Sequence, residues 1–98
     1  MKLLDMQENI IPEKEPILLG IVDAGTSKEY SYFLYNDEAD EVIDISIEFE
    51  HKEIEVLKCP TNLGYKGKDV LKIKWSPSLT VKKGLKAPFK IKATELYK

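Results

Sequence analysis

The chain contains no arginine; all fifteen basic residues among its 98 positions are lysine. Guanidinium forks are therefore missing, and with them bidentate recognition of carboxylate, phosphate or guanine. There is one histidine, His51, and one cysteine, Cys59. A lone imidazole cannot build a His-rich metal site or a nucleophile–base pair, and a lone thiol gives neither an intrachain disulfide nor a zinc site. Cys59, just ahead of Pro60, reads as a small buried hydrophobe, and His51 as a strand-edge residue. No stretch approaches a membrane span, and the opening MKLLDMQENIIPEKEP has too short an apolar run for a signal peptide. Together these point to a protein made in a cytoplasm, without a membrane partner, and stabilised by burial rather than cross-links.

What is present fits one domain. Ninety-eight residues leave no room for a second core, and 43 % hydrophobic content is ordinary for a globular chain. Net charge is −2, but the charge is divided along the chain. Residues 1–51 hold three lysines against thirteen acids, and residues 52–98 hold twelve lysines against four. Two arrangements satisfy this. Acidic early strands lie beside basic late ones and pair within the molecule, or the two signs form opposite poles suited to docking.

Residues 1–16 read as an N-terminal arm and residues 17–98 as the domain proper. Leu3, Leu4, Met6, Ile10 and Ile11 are too apolar for a solvated tail, while Pro12 and Pro16 interrupt any long helix. Either a short helical turn covers one end of the domain, or the arm docks on another subunit. From Ile17 the pattern is β. Ile17–Val22 is a continuous apolar run with Gly20 inside it, and Asp23–Thr26 is a turn. Lys28–Asn36 alternates, with Tyr30, Tyr32 and Leu34 on one face and Phe33 and Tyr35 on the other. Asn36–Glu41 is a polar hairpin tip. Ile43, Ile45, Ile47 and Phe49 then alternate with polar residues, the strongest strand signal in the chain. Ile54–Leu57, Leu71–Trp75, the brief Leu79–Val81 and a closing strand with Phe89, Ile91 and Ala93 inward complete about seven strands. The expected fold is all-β, an Ig-like β-sandwich with an N-terminal arm.

The residues Gly20, Gly25, Leu34, Asn36, Ile43, Ile45 and Ile47, with VLKIKWSPS at Val70–Ser78 and GLKAPFKIKA at Gly84–Ala93, carry a resemblance. Their order resembles the ASH and major-sperm-protein branch of Ig-like domains over about Ile17 to Leu96. The resemblance implies the sandwich fold and a noncatalytic role. It implies no binding residue here, because the basic cluster used by major-sperm-protein relatives is missing. A free-standing copy with an apolar arm also resembles small Ig-like accessory proteins of bacteriophage particles.

Candidate chemistry is sparse. Asp37, Glu38, Asp40 and Glu41 supply oxygen ligands but no EF-hand spacing, so no metal is expected. No catalytic residue and no cofactor is assigned, and no small-molecule substrate. Lysines from Lys66 to Lys92 could form one basic face if the last strands are neighbours, but no aromatic stacking surface accompanies them, so no nucleic acid is expected. Phe33 and Tyr35, as outward rings on a sheet, have the character of interface anchors. The expected interface is Leu3, Leu4, Met6, Ile10, Ile11, Phe33 and Tyr35. Its expected use is to hold the chain, as a multi-copy accessory subunit, to protein partners or further copies of itself in a virion or similar assembly. The other reading is a free cytosolic adaptor that pairs a sheet edge with a peptide.

Overall fold

A computed structural model describes residues 1–12, 16–20, 22–78 and 86–98. Among these the chain is all-β, with ten strands and no helix. They are β1 (Lys2–Leu4), β2 (Ile10–Ile11), β3 (Ile17–Leu18), β4 (Lys28–Tyr35), β5 (Glu41–Phe49), β6 (Ile54–Lys58), β7 (Leu63–Gly64), β8 (Lys68–Trp75), β9 (Lys86–Ala87) and β10 (Phe89–Leu96). Every pairing is antiparallel. The strands form a five-stranded sheet in the order β2-β1-β4-β8-β6, a three-stranded sheet β10-β5-β7 and a two-stranded ribbon β3-β9. The expectation of about seven strands thus misses the short pieces β1, β2, β7 and β9. The brief strand expected at Leu79–Val81 and the turn after it lie outside the described residues.

The core takes side chains from all three sheets. Tyr32 and Leu34 of β4, Leu71, Ile73 and Trp75 of β8, Val42, Ile45 and Ile47 of β5, and Ile17 and Ala87 of the ribbon belong to one buried cluster. Alternation puts these residues on one face of each strand, and the hydrophobic effect draws the faces together at roughly 25 cal/mol per Å² of apolar surface. Consecutive strands β4 and β5 lie in different sheets, so the chain passes from one sheet to another at Asn36–Asp40. Asn36 fixes that crossing. It is fully buried, and its side-chain amide donates to the carbonyls of Ala39, Leu63 and Gly64 while its oxygen accepts from the Ala39 N–H.

The alternation in β5 is not continuous. Lys92 pairs with Ser46 and Thr94 with Ile43, which leaves one extra residue on β5. Asp44 sits in that bulge with φ of 53°, in the left-handed region that Asp tolerates better than branched residues. The bulge reverses the side-chain parity. Val42 takes the core position, Ile43 is only half-buried, and Ala93, expected inward, is exposed opposite the bulge.

The first residues are not an arm outside the domain. β1 pairs with β4 through Lys2–Tyr35, Leu3–Leu34 and Leu4–Phe33, and β2 closes a hairpin on β1. The physical reason is local. Leu3 and Leu4 point to opposite faces, as do Ile11 and Ile10 across from them, a period of two that a hairpin satisfies and a helix does not. Asp5 makes the turn, its carboxylate accepting the Gln7 and Asn9 N–H groups at 2.9 Å each.

Candidate interaction face

The register determines which candidate residues share a surface. Residues directly opposite on neighbouring strands lie on one face of a sheet. Val70 of β8 faces Phe33 of β4, Phe33 faces Leu4 of β1, and Leu4 faces Ile10 of β2. These four form an apolar row across the side of the five-stranded sheet that points away from the core. Leu4 is 8 % exposed yet stands apart from the core cluster, consistent with packing inside this row. Ile10, at the sheet edge, is 58 % exposed, and Met6 in the adjoining turn is 51 % exposed. Tyr35 lies on the same face between Lys2 and Lys68, its immediate cross-strand neighbours.

Of the seven candidate interface residues, Leu4, Ile10, Phe33 and Tyr35 are brought together by the register, with Met6 beside them in the turn. Leu3 is corrected: it is fully buried in the chain's own core. Ile11 is corrected with it, since it packs partly against the same cluster. Both share the parity of Leu34, opposite Leu3, and so belong to the fold rather than to a contact surface.

The charges around the row follow from the same register. Lys74 lies between Glu29 and Glu55 in the register. Lys68 reaches over the Phe33 ring, its ammonium 4.9 Å from the centroid, and pairs with Glu8 of the β1–β2 turn. Lys2 pairs with Asp37 at 3.2 Å. Partial desolvation opposes ionisation of Asp37, but hydrogen bonds to Lys2 and to its own backbone, with nearby positive charge, bring its carboxyl below the ordinary value. Lys72 has no acid directly opposite it on either neighbouring strand. It faces Ser31 on one side and Lys58 on the other, and among the described residues neither Lys58 nor Lys72 forms an ion pair.

The late lysines do not make a single face. β8 and β10 lie in different sheets, so Lys68, Lys72 and Lys74 are separated from Lys90 and Lys92, and Lys82 and Lys83 fall outside the described residues. Part of the charge division is resolved within the molecule: Lys92 pairs with Glu48 at 3.2 Å and Lys68 with Glu8. What sequence reasoning missed is that aromatic rings of β4 and lysines of β8 share the outer face. Both strands run for eight residues, but their register is long-range and carries no signal in either strand's sequence.

The remaining reactive groups are placed apart. Cys59 is partly buried, its thiol is pushed up by burial, and it donates to the Pro60 carbonyl at 3.5 Å. His51 stands edge-on to Trp75 with ring centroids 6.4 Å apart, and its Nδ1 accepts the Glu53 N–H. Among the described residues no group of three or more His, Cys, Asp or Glu side chains is arranged to hold a metal ion. Among the described residues no helix is long and apolar enough to cross a membrane. Comparison with protein-family models, curated proteins and solved structures gives no match.

Proposed function

We propose that this chain is a noncatalytic interaction protein built on an Ig-like β-sandwich, serving as a multi-copy accessory subunit of a bacteriophage particle or similar large assembly. The observation that carries the interaction reading is the apolar row Val70–Phe33–Leu4–Ile10 on the sheet face opposite the core. Leu4 is already buried within the row, but its exposed end at Ile10 adds little to folding while solvated and becomes favourable when a partner removes it from water. The sandwich reading is supported by one core cluster drawn from more than one sheet and by the placement of consecutive strands β4 and β5 in different sheets. The particle reading is supported by the resemblance in size and architecture to small virion accessory proteins, an analogy of fold.

One observation favours the second reading, a free cytosolic adaptor. Among the described residues β10 pairs only with β5, so eight residues present an open edge to which an extended peptide could add. Purification of the tagged chain from its natural source, with quantitative mass spectrometry, separates the two. High copy number beside shell or tail proteins is the expected result. Low copy number beside one or two soluble proteins would overturn the particle reading and make β10 the binding element.

A further inference from the structure

We infer that the outer face of the five-stranded sheet takes a protein partner whose contact segment is an apolar ridge bordered by carboxylates. This rests on the interaction reading above and adds the surface and the chemistry of its occupant. Two independent features of the face define that chemistry. The first is the apolar row, three of whose four members are aliphatic; it matches apolar side chains and offers nucleobases little to stack on. Its one ring, Phe33, already lies beneath the Lys68 ammonium.

The second feature is the pair Lys58 and Lys72, opposed across the register shift in β6 and adjoining the row at Val70. Like charges facing each other across strands destabilise a sheet by about 0.2–1 kcal/mol; among the described residues neither lysine forms an ion pair, and the nearest acids of the face, Glu29 and Glu55, stand opposite Lys74. Among the described residues, Lys68 pairs with Glu8 and Lys2 with Asp37, and Lys74 stands between Glu29 and Glu55 in the register. The uncompensated positive charge is therefore concentrated at one flank of the row, in a chain whose overall charge is negative. A partner that sets an apolar ridge on the row and carboxylates beside Lys58 and Lys72 gains from both, and electrostatic complementarity fixes its orientation. The exposed end of the row, Ile10 with Met6, gives that ridge an edge from which to enter.

The test uses the full chain and three fluorescent probes: a peptide with a short apolar run bracketed by glutamates, the same run bracketed by lysines, and a single-stranded oligothymidylate. The inference predicts that the glutamate-bracketed peptide binds best and weakens as salt is raised. It also predicts that Lys58→Glu combined with Lys72→Glu, and separately Ile10→Ser, each weaken that binding by about tenfold or more. Circular dichroism and urea unfolding of each variant establish that the fold is retained. Equal binding of the two peptides, binding insensitive to either variant, or no binding would overturn the inference. Preferred binding of oligothymidylate would overturn it in favour of nucleic acid. Failure here with high-copy incorporation intact would leave the interaction reading standing and move the contact to another surface.

Discussion

The side-chain amide of Asn36 donates to the Gly64 carbonyl at 2.9 Å, joining residues that lie 28 positions apart. The same amide also reaches the carbonyls of Ala39 and Leu63. One fully buried side chain thus ties the β4–β5 crossing to the loop that carries β7, and satisfies backbone groups that would otherwise be shut away from water. Asn36→Ala strands those carbonyls and is expected to cost about 2–4 kcal/mol, while Asn62→Ala at an exposed loop position stays within about 0.5 kcal/mol. Urea unfolding of both variants measures the difference.

Asp44 carries the bulge that reverses the parity of β5. Asp44→Val places a branched residue in the left-handed region and is expected to destabilise by about 1–2 kcal/mol, whereas Asp44→Asn is nearly neutral. Thermal unfolding of the pair checks this, and equal midpoints would contradict it.

The hairpin at the start of the chain gives a third comparison. Leu3→Ala should cost about 2–5 kcal/mol because it opens a cavity in the core, and Ile10→Ser should change stability by no more than about 0.5 kcal/mol. Comparable losses from both would mean that the outer row is part of the folding core.

Tyr32 sets the response to alkali. Burial, with a smaller contribution from neighbouring Tyr30, pushes its phenol up to about 12. A raised folded-state value means the stabilising contribution is complete below the ordinary tyrosine range, near 10, and is lost as pH rises through about 12. Absorbance titration of phenolate should show Tyr32 ionising last, together with unfolding, and Tyr32→Phe should remove that late step. Ionisation of every tyrosine near pH 10 without unfolding would contradict the burial assigned to this ring.

The fold was legible where a single period ran unbroken. β4 and β8 alternate cleanly, and their expected spans agree with the observed Lys28–Tyr35 and Lys68–Trp75 to within a few residues. The β5 alternation was read without its bulge, because Asp44 is as ordinary on a solvent face as in a left-handed turn, and only the pairing with β10 distinguishes them. The pairing of residues 1–16 is not legible because three-residue and two-residue strands hold too few alternations to show a period; Leu3–Leu4 becomes a strand through β4, and Ile10–Ile11 through β1. Phe33 and Tyr35 were placed outward from parity alone. Their lysine neighbours were not, since register between strands more than 30 residues apart is a long-range property that the sequence of neither strand contains.

The most direct measurement replaces Ile10 with serine in the natural setting and counts copies of the chain in whatever assembly co-purifies with the unaltered chain, alongside urea unfolding of the isolated variant. An outer row that serves a partner predicts a sharp fall in copy number with stability unchanged. Unchanged copy number with the fold intact would contradict it, and would show that the five-stranded sheet's outer face is not what holds this protein in place.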